Sequence, residues 1–528
     1  MHAAQVMNLS QLLTQTARLH PDLPGLIHRD QTWTWREINA RVDAMCFALQ
    51  SLGVRRGDRI LTQTRNCLQT FELGWVACRL GCVWVPTNYR LMPDEVAYLG
   101  QSSGATVMVY EDVFPDHVDA VRKASPALAH VVAIGSPRQG EHDYERLVAY
   151  YLGHDFTAAV VTENDPAWFF YTSGTTGKPK AGILTHGQLA FVITNHLADL
   201  IPGTCETDRS IVVAPLSHGA GIHALLNVAR GAASILLPGD RLEPEVFWEL
   251  VERHRVTNLF TVPTIVKVLV EHPSVDQFDH SSLKYMIYAG APMYRADQKL
   301  ALQKLGPILV QYFGLGEVTG CITVLPPHMH SPDDQDPNAN IGACGRPRTG
   351  MEVAILDKAL QPLPSGEVGE ICVRGPAVFF GYHGNPEATE KALKGGWFHT
   401  GDLGRLDDRG LLYITGRESD MYISGGSNVY PREVEEVLLT HPAVLEVAVL
   451  GIPDPKWGEV GVAVVVCRPE GPSVAAEDLF AHLEGRCAKY RWPRSFFFWE
   501  SLPKSGYGKI TKKDVRQQLL DRGEIAAQ

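Results

Sequence analysis

The chain has 528 residues, 45% of them hydrophobic and 20% charged, with a formal net charge of −11 and a pI near 6.0. This length exceeds one ordinary domain, so two or more are expected, and the apolar content suffices for a large core. The acidic balance speaks against nucleic acid as a partner, because proteins that track phosphates carry a basic excess, yet a local site for a small anion stays open.

The first five residues, Met1-His-Ala-Ala-Gln, lack the basic start and apolar stretch of a signal peptide, and the terminal Ala-Ala-Gln is not a peroxisomal address. The ten cysteines are scattered, and Cys78 and Cys82 have neither zinc-site nor thioredoxin-like spacing. Reduced, buried thiols in a cytoplasmic protein are therefore expected.

In chain order, the apolar run Ala167–Phe170 predicts a buried strand. It leads into Tyr171-Thr-Ser-Gly-Thr-Thr-Gly-Lys-Pro-Lys-Ala181, rich in hydroxyls, glycines and lysines. Alone, such a segment reads equally as a polar linker or an anion loop; the strand before it favours the anion loop, where glycines let backbone N–H groups approach a phosphate. It is not a Walker A loop. Gly174 and Gly177 are three apart, and Lys178 is followed by Pro179 instead of a magnesium-binding hydroxyl. Residues 211–229 carry no Asp, Glu, Lys or Arg, but Pro215, His218, His223 and Asn227 are costly in lipid, so a strand, loop and helix are predicted there instead of a membrane span. Residues 243–254 read as a helix with Val246, Leu250 and Val251 on one stripe. Strands follow at 258–262 and 283–288, the latter ending in Gly290-Ala291-Pro292. This alternation predicts an α/β fold with mostly parallel sheets, whose ligands bind beyond the carboxyl ends of strands. From Pro347 the punctuated strands at 352–356 and 369–373 predict a β-rich subdomain. A third zone, with strands at 444–450 and 460–467, a helix at 475–484 and a last helix after Lys509, predicts a small α+β domain. The expected division is 1–416, a hinge at 417–420, and 421–528.

Ser173-Gly-Thr-Thr-Gly-Lys-Pro-Lys180 resembles the phosphate signature of the adenylate-forming superfamily, in its acyl-CoA synthetase branch. Ala289-Gly290-Ala291-Pro292, Tyr312-Phe313-Gly314-Leu315-Gly316-Glu317, His399-Thr400-Gly401-Asp402, Gly416-Arg417 through Gly425-Gly426, and Leu502-Pro-Lys-Ser-Gly-Tyr-Gly-Lys509 resemble its further motifs, in order along essentially the whole chain. The resemblance implies a two-step acid–thiol ligase using ATP, Mg²⁺ and coenzyme A. An acid attacks the α-phosphorus of ATP, and a thiol then displaces AMP from the acyl-adenylate.

It further implies a nucleotide site made by Thr172, Ser173, Gly174, Thr175, Thr176, Gly177 and Lys178 at the phosphates. Gly290, Ala291, Pro292, Tyr312, Phe313 and Gly314 would flank the adenine, and Asp402 and Arg417 the ribose. Glu317 with Thr172 would hold the metal, with Lys509, Glu317 and His218 in the reaction. Ser419 would be the hinge, and Gly425 and Gly426 would shape the coenzyme A channel. The acyl pocket would involve His218, Gly219, Ala220, Gly221, Tyr288, Ala289, Tyr312, Gly314 and Cys321. Small residues at 219–221 would open one wall and Tyr312 would narrow another, favouring a small, branched, medium-chain or aryl acid over a long fatty acid.

The chain departs from the family pattern at Gly316 (usually Thr), Phe313 (commonly Tyr), Tyr312 (usually Gly), Ser419 (commonly Asp or Lys) and Tyr507 (usually a small residue). Each motif residue also has a plain structural role open to it: Asp402 as a turn residue, Arg417 as a surface ion pair, Glu317 as a solvated carboxylate. The basic, aromatic run 486–494 is either a solvated face or help for coenzyme A phosphates. A carrier-protein thiol as acceptor is the rival reading, and a non-catalytic nucleotide-binding regulator is the alternative from another class. The substrates are the expected partners, with no nucleic acid and no membrane span; self-association into a homodimer stays open.

Overall fold

The computed structural model describes residues 5–172, 178–291, 293–424, 427–469, 471–504 and 510–526. Two large sheets form its main body. The seven-stranded sheet runs, edge to edge, Lys180–Thr185, Pro166–Thr172, Val83–Pro86, Arg59–Gln63, Val107–Glu111, His130–Ile134 and His142–Asp143. All its pairings are parallel except that between Pro166–Thr172 and Lys180–Thr185. The nine-stranded sheet has Leu309–Phe313, Tyr285–Tyr288, Asn258–Thr261, Arg209–Val212, Ala233–Leu236 and Pro24–His28 as its parallel centre, with antiparallel strands at both edges. The fold is thus the predicted mixed α/β class.

Parallel strands need crossovers, and the sequence supplies helices between them. Helix Pro244–His254 forms where the pattern puts it and begins on a proline, whose missing N–H costs nothing in the first turn, but it buries Phe247, Trp248 and Val251, while Val246 and Leu250 of the predicted stripe are only half-buried. Residues 211–229 divide as predicted into the end of a strand, a loop, and helix Gly219–Ala229. The strand expected at 283–288 is shorter, Tyr285–Tyr288, because its ladder with the neighbouring strand begins where Asn258 faces Tyr285.

The β-rich zone is a four-stranded antiparallel sheet: Glu352–Leu356, Gly369–Arg374, Phe398–Leu406 and Leu412–Arg417. Beyond it, Ser427–Val429, Tyr422–Ser424, Gly458–Cys467, Val444–Asp454 and Ser495–Trp499 make a separate five-stranded sheet. Helices Pro431–Leu439, Ala476–Leu483 and Lys512–Asp521 pack on it. This C-terminal sheet buries its own apolar clusters on both faces, around Val447 and Val449 on one side and Ala448 and Val464 on the other. Among the described residues, no helix is long and apolar enough to cross a membrane.

Candidate active site

A cavity of about 1520 Å³ opens where the carboxyl ends of the central strands meet the four-stranded sheet and the start of the C-terminal zone. Its floor comes from strand Leu309–Phe313 and the loop after it. Period-2 alternation sends Tyr312 to the cavity face of the sheet. Tyr288, which pairs with Gln311 on the neighbouring strand, packs into the cluster on the opposite face. Gly314 is needed because a Cβ there would meet the backbone of Gly320 at 2.3 Å. The two chain segments therefore touch main chain to main chain, leaving a flat floor between Phe313 and Glu317.

Glu317 is buried, 6% exposed, yet it lines the cavity. Its Oε1 accepts hydrogen bonds from Thr172 Oγ1 and Tyr382 Oη, both at 2.9 Å. Burial and this contact with a carboxylate push the Tyr382 hydroxyl far above its ordinary pKa, so it stays a protonated donor. The half-buried Thr172 and the buried Glu317 are hard oxygen donors on the cavity wall, a set that fits a Mg²⁺ ion completing its shell with phosphate and water oxygens.

Gly316, the departure from the usual threonine, has a structural cause. A Cβ at this position would lie 2.7 Å from the Phe170 ring and 2.8 Å from Thr172 Cγ2. The strand before the phosphate-like loop fills the volume that a threonine side chain would need. The Phe170 ring also packs at a tilt against His218, ring centroids 4.4 Å apart and planes 33° from parallel, and His218 stands at the N-terminus of helix Gly219–Ala229 on the cavity wall.

On the opposite side, Asp402 and Arg417 face each other on paired strands, with Arg417 Nε 2.6 Å from Asp402 Oδ1. Asp402 is 5% exposed and also lines the cavity. Thr400 Oγ1 accepts a hydrogen bond from the Asp402 N–H and donates to the carbonyl of Ile371, so the carboxylate sits on a braced turn. Ser419 borders the cavity next to Asp420, and Arg432, Glu435 and Lys512 of the C-terminal zone close that side, Lys512 Nζ lying 2.7 Å from Glu435 Oε1.

The structure gathers most of those predicted site residues that it describes. Thr172, Gly290, Ala291, Phe313, Gly314, Glu317, Asp402, Arg417 and Ser419 all border the one cavity, as do His218, Gly219, Ala289 and Tyr312 of the expected acyl pocket. Lys178 is exposed, with Nζ 5.0 Å above the Tyr98 ring. Ser173, Gly174, Thr175, Thr176, Gly177, Pro292, Gly425, Gly426 and Lys509 lie outside the described residues.

Four acyl-pocket expectations need correction: Ala220, Gly221, Tyr288 and Cys321 lie behind the cavity wall. Helix geometry turns Ala220 into the core. Gly221 is small because a Cβ there would lie 2.0 Å from the Leu216 carbonyl oxygen, so the residue permits the turn into the helix without widening a pocket. The Tyr288 hydroxyl lies 3.0 Å from Gln311 Oε1 and 3.1 Å from His330 Nε2 on the far side of the sheet. Cys321 is fully buried, its Sγ 3.5 Å from His196 Nδ1.

Sequence reasoning missed two residues. Phe260 lines the cavity and stacks on Tyr312, centroids 5.9 Å apart and ring planes 19° from parallel. Tyr382 holds Glu317 from a distant segment. The strand at 258–262 pointed to Phe260, since it lies at a carboxyl end of the sheet; no local signal marked Tyr382.

Residues 13–383 match the family of AMP-binding enzymes, and residues 433–509 match the AMP-binding enzyme C-terminal domain. The chain is 35% identical over 505 residues to a feruloyl-CoA synthase of an Amycolatopsis species, covering 95% of this chain and 97% of that one. It is 30% identical over 524 residues to a fatty acid–[acyl-carrier-protein] ligase of Streptomyces coeruleorubidus, with 98% of each chain covered. Among solved structures, the anthranilate CoA ligase AuaEII in complex with anthranoyl-AMP superposes with a TM-score of 0.88 at 25% identity, over 98% of both chains.

Proposed function

We propose, from the premise that this chain belongs to the AMP-binding enzyme family and is an AMP-forming acyl-CoA synthetase, that it joins a compact aryl or branched carboxylic acid to free coenzyme A in the cytoplasm. The observation that carries the choice of acid is the Phe260–Tyr312 pair on the cavity wall. Two near-parallel rings offer a flat apolar face to a planar acyl group, and an aromatic contact of this kind contributes about 0.5–1.5 kcal/mol beyond area burial. Tyr312 also fills space that a longer chain would need.

In the first step a carboxylate oxygen attacks the α-phosphorus, and the bond to pyrophosphate breaks. Both reactants are anionic, so the chief task is neutralising charge. Asp402 would accept from the ribose hydroxyls and, with Arg417, fix the nucleotide. Phe313 and the Gly290–Ala291 loop would flank the adenine. Thr175, Thr176 and Lys178 would hold the outer phosphates. Glu317 and Thr172 would hold Mg²⁺, which supplies positive charge to the phosphate oxygens. Lys509 would bridge the carboxylate and the α-phosphate. In the second step a thiol sulfur attacks the acyl carbon and AMP leaves. The segment 417–420 would be the hinge between residues 1–416 and 421–528, letting Lys509 withdraw while Gly425 and Gly426 shape the thiol's channel. All ten cysteines are free, which agrees with a reducing compartment.

The test is AMP release from a panel of acids, with free coenzyme A and with a phosphopantetheinyl carrier protein as alternative acceptors. Aryl and short branched acids with free coenzyme A should lead. In Tyr312→Gly the optimum should move to longer acids by about tenfold or more, the effect of one or two methylenes of pocket. A parent enzyme that prefers long fatty acids, or a variant with an unchanged profile, refutes the reading of the pocket. A carrier protein that outcompetes coenzyme A refutes the acceptor.

A further inference from the structure

Strands Gly369–Arg374 and Phe398–Leu406 together carry a second cluster of chemically capable side chains, beside the turn that presents Asp402. Cys372 pairs directly with His399 across two strands, while Glu370, two residues earlier, pairs with Leu403. Residues 400–402 therefore bulge out of the ladder, with Glu370 and Cys372 opposite its two ends. His399 Nδ1 lies 3.6 Å from Cys372 Sγ and 2.7 Å from Glu370 Oε2. One ligand atom from each of the three residues lies within 4.8 Å of the others.

We infer that Glu370, Cys372 and His399 form a binding site for a zinc ion, distinct from the Mg²⁺ position at Glu317. Three observations converge. First, sulfur, imidazole nitrogen and carboxylate oxygen are the donor types zinc takes, and Zn–S and Zn–N bonds of about 2.3 and 2.0 Å at a tetrahedral angle put S and N about 3.5 Å apart. The observed 3.6 Å already matches, so only Glu370 needs to move back from the ring. Second, the other imidazole nitrogen, Nε2, lies 3.0 Å from the carbonyl oxygen of Lys394. Donation to a backbone carbonyl is the outer contact that fixes a metal-binding histidine with its free nitrogen toward the ion. Third, the site is shielded but reachable. Cys372 is fully buried, while His399 and Glu370 border the cavity, which gives an entry path and room for a water as fourth ligand. A thiolate and a carboxylate also balance the charge of a divalent ion.

The position has a consequence. Glu370 Oε1 now accepts from the Gly401 N–H at 3.2 Å, in the middle of the bulge that presents Asp402. Drawing Glu370 onto zinc removes that contact and shifts the bulge. Zinc should then raise the KM for ATP, an effect that rests on the ribose role of Asp402, whereas the binding itself does not.

The experiment titrates metal-free, full-length protein with Co²⁺ as a spectroscopic stand-in for zinc and with Zn²⁺ in a calorimeter. The parent should show a thiolate-to-cobalt charge-transfer band in the near ultraviolet. Cys372→Ala should lose the band and bind zinc at least about 10–100-fold more weakly, the loss that removing even an outer-shell partner produces. Thermal melts check the fold. Cys372→Ser, closer in size, repeats the test if alanine disturbs packing, and Glu370→Gln should weaken zinc binding too. No band in the parent, or a band that persists in Cys372→Ala, overturns the site, because the ion would then sit on another of the ten thiols or on none. Cys372→Ala without zinc should keep its activity. A band that follows Cys372 with no change in the ATP KM keeps the site and overturns its coupling to Asp402.

Discussion

Replacing Asp402 separates a nucleotide-binding role from a turn-forming one. The carboxylate is almost fully buried, faces the cavity and is held by Arg417 Nε at 2.6 Å through Oδ1. Hydrogen bonds to a charged acceptor contribute about 1.5–3 kcal/mol each. Losing two ribose contacts in Asp402→Ala therefore removes about 3–6 kcal/mol at most, or roughly 10²–10⁴ in kcat/KM for ATP. Asp402→Asn keeps the shape and one acceptor but loses the charge, and should cost about 10–150-fold. Stability should change far less. The Arg417 side chain is 41% exposed and can return to water when its partner goes. The turn retains the Thr400 hydroxyl bonds to Ile371 and to the backbone of residue 402. The assay is AMP formation against ATP concentration, paired with urea unfolding of each variant. Arg417→Gln completes a double-mutant cycle, in which a coupling of about 0.5–3 kcal/mol is expected for residues in contact. A folded Asp402→Ala with unaltered dependence on ATP would refute the reasoning and reduce Asp402 to a turn residue.

Restoring the family's hydroxyl with Gly316→Thr should lower activity and cost about 1–3 kcal/mol of stability through overpacking against Phe170 and Thr172; a gain in either would show that the glycine is not forced by its neighbours. Lys509→Ala should slow acyl-AMP formation by about 10²–10³ or more, while thioester formation from supplied acyl-AMP and coenzyme A stays near the parent rate; equal loss in both half-reactions would discard the two-position role of Lys509. Burial holds the imidazoles of His186, His223 and His330 down to about 4, below the ordinary 6.5. Their neutral forms therefore contribute stability that is complete above pH 6.5 and lost as the pH falls toward 4, on the order of 2 kcal/mol per imidazole at pH 5. Urea midpoints should drop between pH 7.5 and 5, and less steeply in His223→Gln; parallel curves for the two proteins would count against this origin.

The sequence alone carried the order and type of the elements, because hydrophobic period and turn residues are local signals. Strand Pro166–Thr172, helix Pro244–His254 and strands Glu352–Leu356 and Gly369–Arg374 lie within a few residues of where the pattern puts them. It also named both partners of the Asp402–Arg417 pair and of the Thr172–Glu317 contact, though only through the resemblance of the chain's motifs to those of the family. Facing and depth were not legible. Whether Tyr288 or Tyr312 looks into the cavity depends on which sheet face each occupies, and that is fixed only when neighbouring strands come into register. Gly219 and Gly221 look alike in the chain, yet one borders the cavity and the other clears the Leu216 carbonyl. The contacts of Tyr382 with Glu317 and of Phe260 with Tyr312 join segments 65 and 52 residues apart, and Gly316 is explained by a phenylalanine on another sheet. Local pattern determines which backbone a segment adopts. The side chains that share a site are chosen by packing between segments, where one atom's volume excludes another's, and only the tertiary structure decides that.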